Sequence, residues 1–154
     1  WLCEVSVDVP DRGGVRVSAS IDAPLPEPPP VTVKVVVDEP LVFMPTTTPT
    51  GLTYARSSGR LEVHLTNVSS GTVIVSPTVR LLGEILPVAS PSRPAWPITI
   101  DAGKTITLRM NPVLANAIEG PHYVQVAFAE DPLGRLHLHP VLIERGAAAT
   151  QPAK

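Results

Sequence analysis

The residues with the plainest chemical potential are His137 and His139, separated by a single leucine. On a β-strand, positions i and i+2 share a face, so two imidazoles there form half of a tetrahedral zinc site. A working site also needs a third ligand and outer partners that orient the rings. His64 on another strand and His122 at a strand start do not supply that ligand by spacing. Two histidines on a solvent-facing strand are ordinary surface residues. The metal assignment is therefore none, with His137 and His139 as the candidates, and no cofactor is expected.

Other chemistry is equally sparse. No serine, histidine and acid fall in a nucleophile-elbow context, and no glycine-rich phosphate loop occurs. Carboxylates are few and unpaired, and the lone Cys3 lies in a terminal segment. No catalytic residue is assigned, and the expectation is a protein that is not an enzyme. A single cysteine excludes an internal disulfide. Cys3 reads as a small strand residue or as an intermolecular bridge.

Composition narrows the class further. The 154 residues suit one domain with an appended arm. Hydrophobic residues reach 44% but aromatics only 4%, so Val, Leu and Ile must build the core. The 19 prolines break helices and favour short strands joined by rigid loops. Net charge is −2, and arginines and lysines are scattered. This argues against nucleic acid as a partner. No apolar run is long enough for membrane insertion by a helix.

The elements follow from period and punctuation. Gly120 to Glu144 reads as a hairpin: Val124, Val126 and Phe128 alternate, Asp131-Pro132-Leu133-Gly134 turns, and Leu136 and Leu138 resume the alternation. Leu2 to Val9 and Val15 to Ile21 alternate around Pro10–Gly14 and predict an N-terminal hairpin arm over residues 1–22. Residues 23–30, APLPEPPP, read as a polyproline linker. Strands are expected at Val31–Asp38, from Leu41 to Met44, Arg60–Val68, Thr72–Val75, Val79–Leu86, Ile98–Ile100 and Thr105–Met110. Pro45 to Gly59 lacks periodicity and reads as an exposed loop, with Tyr54 and Arg56 as partner anchors. Asn67-Val68-Ser69 matches a glycosylation acceptor. Trp96 reads as a cap on the core. Asn111-Pro112 followed by VLANAIEG predicts a helical crossover of one to two turns. Residues 146–154 read as a disordered tail.

The stretches DAGKTITLRM and GPHYVQVAFAED, with Tyr123 near the start of a penultimate strand, resemble immunoglobulin-like and fibronectin-type-III-like sandwiches over residues 31–145. The resemblance implies an antiparallel β-sandwich in which such a tyrosine ties down a corner. The chain lacks that family's cysteine pair.

Together these readings predict an all-β fold: an antiparallel immunoglobulin-like β-sandwich, an N-terminal hairpin arm and one short helical crossover. The expected function is structural, in a cell-surface fibre or a virus particle, self-associating by strand addition. Partners would be copies of itself or a neighbouring assembly subunit, met through Val5, Val7, Val9, Val15 and Val17, with an extracellular, cell-surface or virion location. The alternative is a monomeric extracytoplasmic binding module that grips a ligand, or a proteinase, with loop 46–59.

Overall fold

A computed structural model of the chain describes residues 2–7, 15–20, 27–47, 51, 53–57, 59–89 and 95–146, with backbone alone for 2–7 and 15–20. All regular elements among these residues are strands, and no helix occurs. Strands β1 (Leu2–Val7) and β2 (Val15–Ser20) pair antiparallel, with Val5 opposite Val17 and Val7 opposite Val15. Val9 and the turn after it lie outside the described residues, as do 23–26 of the linker and 147–154 of the tail.

The body carries two larger sheets. A three-stranded sheet runs β11 (Thr105–Arg109), β6 (Leu61–Asn67), β3 (Val31–Val37). A seven-stranded sheet runs β12 (Val113–Leu114), β5 (Thr53–Ser57), β4 (Leu41–Thr47), β14 (Leu136–Arg145), β13 (Gly120–Phe128), β8 (Pro77–Leu81), β9 (Glu84–Ile85). Strands β7 (Val73–Val75) and β10 (Ile98–Ile100) form a separate pair. After β3 the chain crosses sheets at Asp38–Pro40, and β4 then lies parallel to β14, with Leu41 opposite Ile143. Glu84, beside one edge of the seven-stranded sheet, accepts hydrogen bonds from the Ala115 N–H, just past the other edge, at 2.9 and 3.1 Å. The sheet therefore curls until it is nearly closed.

One hydrophobic cluster joins these sheets. Leu61, Val63, Leu65 and Leu108 from one meet Leu41, Phe43, Leu81, Val124 and Val126 from the other. The aliphatic core follows from a sequence nearly without aromatics, because β-branched and leucine side chains interlock on pleated faces.

Three expectations are corrected. The helical crossover does not form. Val113 and Leu114 instead pair with Arg56 and Ala55 as β12, and the Ser57 N–H donates to the Pro112 carbonyl at 3.0 Å. A helix of one or two turns is marginal alone, whereas the β5 edge offers ladder bonds and a fully buried seat for Leu114. The exposed loop also yields: Thr53–Ser57 is strand β5. Its inward residues are Ala55 and Ser57, too small and polar to show as a hydrophobic alternation. Finally, Val79–Leu86 is two strands, because Leu82 and Gly83 adopt φ of 52° and 81° and turn the chain.

Candidate functional site

The hairpin β13–β14 forms as expected, but with its return strand in the opposite phase. Val126 pairs with His137 and Val124 with His139, so the odd positions of β14 continue the core face down to buried Val141 and Ile143. Leu136 and Leu138 consequently face outward, 53% and 56% exposed. The histidines share the side of the buried valines rather than a solvent face. His137 is exposed and meets Phe128 edge-on at a ring separation of 5.7 Å, and His139 is half-buried. His122 lies on β13, where its Nε2 contacts the Ile118 carbonyl at 2.8 Å. Among the described residues, no three His, Cys, Asp or Glu side chains cluster so as to hold a metal ion.

The face of the seven-stranded sheet away from the core is rich in apolar residues. Val42 and Met44 on β4, Leu136, Leu138 and Leu142 on β14, and Tyr123 on β13 are all substantially exposed there. Register places Tyr54 and Arg56 on the same face, opposite Thr46 and Met44. Tyr54 is half-buried, and exposed Arg56 lines a depression of about 520 Å³ with Met44, Thr46 and Asn111. The sign of this face lay in the run LHLHPVLIE, which is apolar at both strand parities. Tyr123 belongs to it, exposed at 54%, rather than to a corner.

The outer face of the three-stranded sheet is polar. Glu62 is buried beneath Arg60, at 2.7 Å, and Arg109, at 3.3 Å. The hydrogen bond from Arg60 holds the Glu62 carboxyl below its usual range, and both guanidinium charges add to this against the effect of burial. Thr107 Oγ1 lies 3.0 Å from His64 Nδ1, and His64 Nε2 lies 3.4 Å from Glu62 Oε2. This hydroxyl–imidazole–carboxylate line was not visible in sequence, because Thr107 comes from another strand. Its geometry is loose: His64 Nε2 is buried without a hydrogen-bond partner. The carboxylate that would orient the imidazole also pairs with Arg60 and Arg109.

Two further expectations change. Asn67 of the glycosylation pattern is fully buried and its amide is engaged within the fold, so the folded chain offers no acceptor there. Trp96 is 46% exposed and lines an apolar cavity of about 400 Å³ with Val79, Leu86, Leu108 and Met110. Residues 90–94 beside it lie outside the described residues.

Set against known proteins, the chain matches no family model, no curated protein and no solved structure.

Proposed function

We propose that this chain is a non-enzymatic assembly protein of a cell surface or virus particle, joined to copies of itself by strand addition. One observation carries the reading. Strands β1 and β2 form a two-stranded sheet that no third strand extends among the described residues. A hairpin of this size is marginal alone in water. Its alternating valines pair with one another in register, and a proline-rich spacer separates it from the sandwich. Such an element gains stability by joining another sheet, where backbone hydrogen bonds give affinity and alternation sets register.

The body suits an immunoglobulin-like sandwich. The order β3-β6-β11 against β4-β14-β13-β8-β9, with one strand run divided between the sheets at Asp38–Pro40, supports that finer assignment.

The test is solution mass by light scattering on the full chain and on a version starting at Val31. Self-association of the first and a folded monomer from the second are expected. Two stable monomers would end the proposal. A second reading, a monomeric extracytoplasmic module binding a protein ligand, draws on Tyr54 and Arg56 standing beside exposed Met44. It moves ahead if the full chain stays monomeric.

A further inference from the structure

We infer that the free edge of β3 is the acceptor for the hairpin of a second copy, β1 adding antiparallel with Glu4 opposite Lys34. This rests on the assembly reading above and names the surface that receives the arm.

Backbone parity carries the argument. In an antiparallel ladder, hydrogen-bonded and non-hydrogen-bonded pairs alternate. The β3–β6 ladder is flanked by the Asp38 N–H donating to the Arg60 carbonyl at 2.9 Å and the Val68 N–H donating to the Pro30 carbonyl at 3.0 Å. Both bonds fit the register that sets Lys34 opposite His64. Even-numbered β3 residues therefore bond β6, and the backbone groups of Val33, Val35 and Val37 point to the other side. Among the described residues, no strand pairs that side, although β14 approaches β3 without forming a ladder. The side chains agree. Val31 is buried, yet Val33, Val35 and Val37, packed against the same core, are only half-buried. The sandwich ends one strand short there.

The other edges are short, covered or blunted. Strands β9 and β12 have two residues each, and β7 and β10 three. On β11 the Arg109 carbonyl already accepts from the Ala89 N–H at 2.8 Å. On β14 the same reasoning applies through β13. The Ala129 N–H donates to the Ser76 carbonyl at 3.2 Å, so odd β13 residues bond β8 and even ones bond β14. The even positions of β14 then face the side where β4 pairs only residues 143–145, and along the stretch of β14 before that pairing Pro140 has no N–H to offer. Strand β3 has seven residues and no proline. An edge of that kind invites addition.

The donor strand fits by pattern and charge. Cys3, Val5 and Val7 share one parity of β1. With Glu4 opposite Lys34, antiparallel addition sets Cys3 opposite Val35, Val5 opposite Val33 and Val7 opposite Val31, where only the carbonyl is open because the Val31 N–H donates to the Pro29 carbonyl at 2.7 Å. The apolar parity then continues the core face, and opposite charges meet on the outer face. Strand β2 in the equivalent placement would bring Arg16 to Lys34. The proline run before β3 favours an extended spacer, which gives the hairpin the reach to meet a neighbouring copy.

The test uses the full chain with Val35→Cys, where Cys3 is the only other thiol. In the proposed ladder the two Cα atoms lie about 5.5 Å apart, within the ~4.4–6.8 Å a disulfide spans. Mild oxidation followed by non-reducing electrophoresis and peptide mapping should give interchain disulfides between Cys3 and the introduced thiol, whereas Leu138→Cys at the blunted β14 edge should give none. Light scattering of the unmodified chain reads assembly independently. Assembly without the interchain bond overturns the acceptor and leaves the assembly reading intact. A disulfide from Cys3 to the introduced thiol of the same chain overturns addition between copies. A chain monomeric at every concentration overturns both. Val35→Pro removes an N–H that does not face β6, so it should weaken self-association roughly tenfold while the sandwich, its β3–β6 ladder intact, still unfolds cooperatively at a somewhat lower Tm from the changed core contact. Assembly equal to that of the unmodified chain would overturn the acceptor.

Discussion

Replacing Asn67 by alanine probes the joint that holds three turns together. Asn67 Nδ2 donates to the Gly71 carbonyl at 2.7 Å and the Ile100 carbonyl at 2.9 Å. Its Oδ1 accepts from the Ser69 N–H at 2.8 Å and the Ser69 hydroxyl at 2.7 Å. The side chain thus ties the end of β6 to β10, while the Asn67 backbone bonds Gly103 and Lys104 before β11. Truncation leaves the Ile100 carbonyl buried without its partner, at a cost of ~1–3 kcal/mol. The single Ser69 hydroxyl proton, released from Oδ1, can go to the Gly71 carbonyl 2.9 Å away, and the Ser69 N–H can turn to water. Those bonds forfeit only their net worth, ~0.5–1.5 kcal/mol each. The expected loss is about 3 kcal/mol, a large share of the ~5–15 kcal/mol typical of a domain. At ~3–4 °C per kcal/mol for this size, Tm falls by roughly 10 °C.

Urea unfolding followed by circular dichroism measures this directly, with the m-value expected to stay constant. A loss below about 1 kcal/mol at constant m would refute the account, because it would mean that the buried carbonyl finds another donor. Asn67→Asp keeps the shape and sharpens the test. Its ionised form turns an oxygen toward two carbonyls, whereas its protonated form can still donate once. The folded pKa therefore lies above the unfolded one, so relative to the parent chain this variant should lose stability as pH rises through the carboxylate range. A difference from the parent that stays constant or shrinks as pH rises would contradict the bonding pattern.

Other expectations are direct. Arg135 Nε donates to Asp131 Oδ2 at 2.8 Å, and this hydrogen bond, helped by the Leu133 N–H, lowers the Asp131 pKa to about 2. The folded value lies below the unfolded one, so the contribution is full above pH about 4 and is lost as pH falls toward 2. Asp131→Asn should lower Tm at neutral pH and flatten its decline over that acid window; an unchanged slope would count against the pairing. Leu114 is fully buried on a strand of two residues. Leu114→Ala should cost ~2–5 kcal/mol in denaturant unfolding, and a loss well under 1 kcal/mol would mean β12 does not seal the core.

Much of the architecture was legible because alternating valines and leucines with proline and glycine punctuation specify short strands directly. Val31–Val37, Leu61–Asn67 and the β13–β14 hairpin all carried that signal. What stayed hidden was set by partners distant in sequence. Ala55 and Ser57 look like loop residues until β4 and β12 close on either side of them. Asn111-Pro112 signals a helix start locally, yet the β5 edge and the core seat for Leu114 outweigh a helix too short to nucleate. The phase of β14 was misread because both parities are apolar, and only pairing with Val124 and Val126 selects the histidine face. The Thr107–His64–Glu62 line needed the β6–β11 register. Placing His137 and His139 at one edge of the core, and Tyr54 and Arg56 on one outer face, likewise required the sheet order.

Pro140 shows how such an edge is managed. It pairs with Tyr123 at a non-hydrogen-bonded position of β13–β14, so its missing N–H costs that ladder nothing. The same missing group would otherwise point to the open side of β14, beside exposed Leu138. Restoring it with Pro140→Thr should leave the β13–β14 ladder intact and Tm nearly unchanged, since the site is exposed and threonine suits a strand. The open edge then gains a donor between those of Leu138 and Leu142, and solutions of the variant should form larger, less soluble species than the parent chain. Light scattering with a sedimentation assay reads the difference. A clear rise in Tm would mean that the N–H faces β13, where it adds a ladder bond, and that the parity is inverted. Unchanged assembly at equal Tm would mean that the β14 edge is shielded by something other than proline. Only the expected pair of results leaves β3 as the long edge that the fold keeps open.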